Sequence, residues 1–193
     1  MKTILTIIFV GTFLTACKSQ TYPIERSYPV FPESGMIFKD TNNNFDKFEG
    51  TWEYVDATSR LRIVLEKIED YEDNGYFSDV IVGNLIYEEN GVEIINTLTN
   101  PSTSQGSDDI YHIKMFSIPR PNLIVGSFED PIRSKWTRYT LRLIHGRVIS
   151  MNNSNVTEQL EWGLQIYEFY NPDDDLDAEQ AMRVPREVIL TKL

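Results

Sequence analysis

The chain has one cysteine, Cys17, and two histidines, His112 and His145, in 193 residues. One cysteine excludes an internal disulfide, and with it the stapled frameworks on which small secreted domains rely when their core is too small. So few sulfur and imidazole ligands leave no zinc site of the usual cysteine and histidine spacing. A Gly-x-Ser-x-Gly nucleophile elbow and a phosphate-cradling glycine loop are also missing. Basic residues are scarce: 18 Lys and Arg stand against 29 Asp and Glu, a formal net charge of −11. That balance argues against nucleic acid as a partner, which needs a basic footprint, and against electrostatic docking on anionic lipid. The apolar stretch that opens the chain, Thr3 to Ala16, falls short of the roughly 20 residues that a membrane-spanning helix needs.

That stretch has another reading. Lys2 precedes an apolar run from Ile4 to Phe13, the order of a charged region and an apolar core in an export signal. Leu14, Thr15, Ala16 and Cys17 follow. They resemble the bacterial lipobox, in which an apolar residue and two small residues precede a cysteine that accepts a diacylglycerol thioether before cleavage. The resemblance implies a signal peptide over residues 1–16, with Cys17 as the lipid-carrying first residue of the mature chain. Two or more acyl chains, palmitate among them, make a stable tether where a single chain holds only marginally. Removing residues 1–16 takes away Lys2 and no acid, so the mature chain is one unit more negative than the precursor. Lys18, Ser19 and Gln20 come next, and similarity to Gram-negative lipoproteins lacking Asp at the second mature position implies the outer membrane, on its periplasmic or cell-surface face.

From Cys17 to about residue 45 the chain contains Pro23, Pro29 and Pro32 and a polar run from Asp40 to Asn44. It reads as an extended leader with at most Met36 to Phe38 docked; as a flexible tether it would span about 30 Å. Residues 46–193 then read as a single β domain. Leu61, Ile63 and Leu65 alternate with Arg60, Arg62 and Glu66, the period of a half-buried strand. A longer strand is expected from Tyr76 to Tyr87, and Asn90-Gly91 before Val92 to Ile95 is a type I′ hairpin signal. Asp73-Asn74-Gly75 marks another turn.

Further strands are expected at 48–55, 110–116, 122–128, 136–144, 147–152, 160–169 and 187–193, with a break at His145-Gly146. Only Asp175 to Met182 suits a short C-terminal helix, stopped by Pro185. The expected fold is all-β, a single antiparallel barrel or sandwich. Arg60, Arg62, Glu66, Arg138 and Arg142 on strand faces favour a soluble body over a lipid-facing barrel.

The opening strand, Phe48-Glu49-Gly50-Thr51-Trp52, resembles the glycine-x-tryptophan start of lipocalin-like barrels. There, glycine lets the chain bend at the barrel floor and the indole closes that end, so Trp52 becomes the candidate floor or pocket residue. With the lipobox, the leader and the last strand, this motif is similar to small bacterial lipoprotein families of unknown function.

His112 and His145 are read as surface histidines. Asp173, Asp175 and Asp177 mimic the start of a calcium loop, but Ala178 stands where glycine is required and Val184 where the closing Glu belongs. Those acids suit the N-terminal turn of the short helix instead. The expectation is a non-catalytic, lipid-anchored binding or envelope-associated module, without metal or cofactor, meeting a small apolar ligand or an envelope protein. Two alternatives stay open: a module inhibiting a cationic enzyme, and a hydrolase using paired carboxylates.

Overall fold

The computed structural model describes residues 21–25, 32–98, 111–120, 122–128, 140–149, 158–168 and 184–193. Strands follow the apolar alternation of the sequence: β1 Thr21–Pro23, β2 Ile37–Lys39, β3 Gly50–Val55, β4 Ser59–Asp73, β5 Tyr76–Glu89 and β6 Val92–Asn96. They continue with β7 Ile113–Arg120, β8 Leu123–Phe128, β9 Thr140–Ile149, β10 Gln159–Glu168 and β11 Glu187–Lys192. No helix occurs among the described residues, and the expected helix at Asp175 to Met182 lies outside them.

All eleven strands belong to one mixed sheet. β3 pairs with β4, β4 with β5, β7 with β8, β8 with β9, β9 with β10, β10 with β11 and β11 with β3, each antiparallel. β5 is the hub. β4 runs along it from Tyr76 to Glu89, while β2 pairs with Phe77 and Ser78, β7 with Ile81 to Gly83, and β6 with Ile86 to Glu89.

Two pairings, β1 with β2 and β2 with β5, are parallel, so the sheet is not purely antiparallel as expected. Both involve residues of the segment expected as leader. The pairing of β7 with β5 ends at Met115 opposite Ile81, so the start of β5 has backbone groups that need partners, and Ile37 and Phe38 supply them. Apolar burial acts in the same direction: Ile24 and Phe38 are 1% exposed and Phe45 0%.

The two short turns are as chemistry requires. Asn74 and Gly75 have φ of 49° and 87°, Asn90 and Gly91 of 51° and 77°, the positive pairs of type I′ hairpins. The expected break at His145-Gly146 is absent, because β9 passes through it with Gly146 opposite both Trp162 and Ile124. A glycine beside a large aromatic neighbour is compatible with a strand interior.

On the core side, Leu61, Ile63 and Leu65 of β4 meet Ile81 and Leu85 of β5, Ile113 and Met115 of β7, Ile124 and Phe128 of β8, and Leu160 and Trp162 of β10. Phe128 and Trp162 pack edge to face, centroids 6.2 Å apart.

One end of the core-facing side is ionic rather than apolar. Asp79, in step with Ile81 and Leu85 along β5, is 3% exposed. Its carboxylate accepts from Lys39 Nζ at 2.9 Å, Asp40 N at 2.9 Å and Asp70 N at 3.1 Å. Asp70 sits in the β4 bulge between Ile68 and Tyr71 with φ of 54°, so one buried acid holds β2 and the bulge together. Asp40, also buried, accepts from the backbone N of Asn44 and Phe45 at 2.8 and 2.7 Å. Lys67 completes this end with Asp46 at 2.8 Å.

Candidate functional site

Trp52 is fully buried, its Nε1 donating to the carbonyl of Phe48 at 2.8 Å. Lys192 Nζ lies 5.2 Å from the ring centroid. Gly50 has φ of 122°, and a Cβ there would stand 3.1 Å from Lys192 Cε, so glycine is needed for the bend that brings Trp52 inward. Phe45, Phe48 and Trp52, each 0% exposed, crowd the same core. Leu14, Thr15, Ala16 and Cys17 lie outside the described residues, as does the acidic group Asp173 to Glu179.

His112 is 4% exposed, which corrects the reading of a surface histidine. It directly precedes β7, and its backbone N donates to Asn84 Oδ1 at 3.4 Å. The His145 side chain is not among those described.

Among the described residues, a cavity with room for a ligand is on the opposite face of the sheet. Its lining residues alternate along the strands with core residues: Val80 beside Ile81, Lys114 between Ile113 and Met115, Val125 beside Ile124, Ser127 beside Phe128. The cavity holds about 510 Å³, inside the roughly 300–1,000 Å³ range of small-ligand pockets.

Two bulges shape it. The irregularity in β4 between Ile68 and Tyr71 and that in β7 between Met115 and Ser117 increase local twist and bend the strands. After the first, Tyr71 faces Ser78 and Asp73 faces Tyr76; at the second, the consecutive residues Phe116 and Ser117 both reach the cavity. Val80 and Ser78 are buried at its base, and Tyr71, Tyr76, Phe116 and Pro32 also line it.

Its polar feature is a neutral ion pair. Lys114 Nζ is 2.8 Å from Asp73 Oδ2 and 4.2 Å from the Tyr71 ring centroid, a cation over an aromatic face. Burial alone would raise the Asp73 carboxyl, but Lys114, with the Tyr76 and Asn74 side chains, outweighs it and holds that carboxyl below its ordinary range. This site was not legible in the sequence, where Asp73 marks a turn and Tyr76 opens a strand, because the meeting of Tyr71, Asp73, Tyr76 and Lys114 depends on pairing between strands. The available signal was Phe116, an aromatic in phase with Lys114 on β7; Tyr71 shares the phase of Leu61, Ile63 and Leu65 and reaches the cavity only through the bulge between Ile68 and Tyr71.

Other outward charges form a ladder across β3 and β4, where Glu53 accepts from Arg60 Nε at 2.9 Å and from Arg62 Nη2 at 2.9 Å. Partial burial would raise the Glu53 carboxyl; the two guanidinium groups outweigh it and lower it.

Fold and groove together describe an all-β protein with a filled core side and a concave aromatic site on its outer face. The chain matches the model of a family of unknown function, DUF6705, over residues 1–193, and belongs to that family. No curated protein and no solved structure matches it.

Proposed function

We propose that this protein is an exported, lipid-anchored, non-catalytic binding module of the bacterial outer membrane that uses the outer groove as its ligand seat. The observation that carries the anchoring is the run Leu14-Thr15-Ala16-Cys17 at the end of a short apolar stretch. Signal peptidase removes residues 1–16, and a thioether-linked glycerolipid on Cys17 holds the body at the membrane. Because β1 begins at Thr21, the four peptide units after Cys17 span at most about 14 Å. The body therefore sits close to the lipid.

The finer fold in this reading is a lipocalin-like, up-and-down barrel of β3, β4, β5 and β7 to β11. In its support, the neighbours of β5 run through β4, β3, β11, β10, β9, β8 and β7, and β7 pairs with β5 over Ile81 to Gly83. The seams differ in length: β11 meets β3 through two residue pairs, Thr191 with Glu53 and Lys192 with Trp52. The Gly50-x-Trp52 opening and the buried indole add to it. Aromatic side chains fill the region around Trp52, which favours the outer groove over an interior cup as the ligand seat.

Metabolic labelling with an alkyne analogue of palmitate and mass spectrometry of the mature N-terminus test the anchor. Label on the natural chain, its loss in Cys17→Ser, and accumulation of precursor under globomycin are expected. Equal membrane fractionation of Cys17→Ser and the natural chain refutes the anchor.

A further inference from the structure

We propose that the groove between β4, β5, β7 and β8 binds a neutral saccharide of the envelope; this rests on the reading of that groove as the ligand seat. Three properties of the lining select this chemistry. Tyr71, Tyr76 and Phe116 offer aromatic surface to the C–H faces of a sugar ring, contacts that bury apolar area while leaving the hydroxyl edge free to bond. Asp73 and Lys114, 2.8 Å apart, present an acceptor and a donor side by side, the pattern that neighbouring sugar hydroxyls satisfy by donating to one and accepting from the other. Ser117 and Ser127 add hydroxyls to the same wall.

The charge state argues against the alternatives. Lys114 and Asp73 neutralise each other, so an anionic ligand would have to displace Asp73 from the ammonium and a cationic one would have to displace Lys114 from the carboxylate. Each displacement leaves a partly buried charge without its counter-ion, because the two side chains are 21% and 28% exposed. A fatty acid carries such a carboxylate. A peptide strand would need a free sheet edge to extend, whereas the groove lies on the face of four strands, among them β5, which is paired along both sides.

Position fits the source. Pro32 and Tyr76 line the groove at the end of β5 where β2 pairs with Phe77 and Ser78, and β1 lies beside β2 through Thr21 and Ile37. The groove is therefore on the anchored end of the body, near the membrane surface.

The test uses the full mature chain in dodecyldimethylamine-oxide micelles, which contain no sugar headgroup. Cellobiose, maltose, lactose and N,N′-diacetylchitobiose are offered in saturation-transfer NMR and titration calorimetry, beside dansyl-undecanoate as an acyl probe. Saturation of the ring C–H protons of at least one disaccharide is expected. Tyr71→Ala should weaken its affinity about tenfold, the upper end for one aromatic contact. Asp73→Asn, which keeps the shape and removes the charge, should weaken it about fivefold. Val55→Thr, on an exposed position away from the groove, should leave it unchanged, and thermal melts exclude unfolding as the cause. Dansyl-undecanoate binding that Tyr71→Ala abolishes, with no disaccharide bound, overturns the saccharide and keeps the groove as ligand seat. Binding of neither probe overturns both.

Discussion

Asp79→Ala tests whether one buried carboxylate joins the N-terminal strands to the main sheet. The side chain is 5% exposed beside Lys39 at 2.9 Å, and it also accepts the backbone N–H groups of Asp40 and Asp70 at 2.9 and 3.1 Å. Alanine removes one side of an ion pair and leaves two N–H groups without their acceptor, one of them on a residue held at φ of 54°. Breaking a buried pair from one side costs about 3–5 kcal/mol, and each abandoned donor about 1–3 kcal/mol, partly the same energy counted again. We expect a total of about 3–5 kcal/mol, which in a chain of this size lowers Tm by about 6–20 °C. Lys39→Met leaves the Asp79 carboxylate, 5% exposed, without its cation but with both backbone N–H donors, so it should also destabilise, by breaking the pair from the other side. The double variant should lose less than the sum of the two. Differential scanning calorimetry gives the melts, and hydrogen exchange at Phe38 and Phe77 reports whether β2 detaches first. A fall of under about 2 °C for Asp79→Ala, against the range just worked, refutes the view that this acid is structural.

Other consequences follow from particular contacts. Gly126→Ala places a Cβ against the Lys114 carbonyl and the Met115 Cα at the bulge of β7; overpacking of this kind costs about 1–3 kcal/mol, readable as a lower urea midpoint. Glu53 and Asp73 have lowered carboxyl pKa values, so the unfolded chain takes up their protons first. Their stability is fully present above about pH 5 and lost as pH falls through the folded values, and the acid slope of Tm should flatten in Asp73→Asn. Lys39 shows the opposite sign: burial would lower its ammonium, yet Asp70 and Asp79 raise it, so its contribution holds below about pH 10 and disappears as pH rises through the raised value. Asp56 accepts from the Tyr54 hydroxyl and the Thr58 and Ser59 N–H groups and titrates at about 2; carbon-detected NMR should show that midpoint, and Tyr54→Phe should move it upward. A flexible 20-residue Gly-Ser insert between Gln20 and Thr21 should move the body about 25 Å farther from a supported bilayer by neutron reflectometry; an unchanged distance contradicts the short leash.

The positions of most strands were legible because alternation is local. Leu61-x-Ile63-x-Leu65 states which face is inward whatever the partner strand, and Asn90-Gly91 states a turn because both of its residues tolerate positive φ. The all-β class followed from such signals, and Trp52 was picked out by the resemblance of Gly50-x-Trp52 to a barrel opening. β1 and β2 were not legible: Thr21–Pro23 and Ile37–Lys39 are three residues each, too short for any period, and they are strands because β5 has an edge to fill. His112 was misread because a single imidazole in phase with Lys114 carries no local sign of what lies above it.

Sequence alone determined the apolar lead with its Leu14-to-Cys17 ending, the acidic balance, the strand-forming alternation and the I′ turns, because each depends on residues close together in the chain. Only tertiary structure decided the mixed sheet, the burial of Asp79 and the groove. Tyr71, Asp73, Tyr76, Lys114 and Phe116 come together through pairing between β4, β5 and β7 and through bulges that rotate side chains by one position. Pairing and bulge placement are set by which faces pack, and packing is a property of the whole sheet rather than of any segment in it.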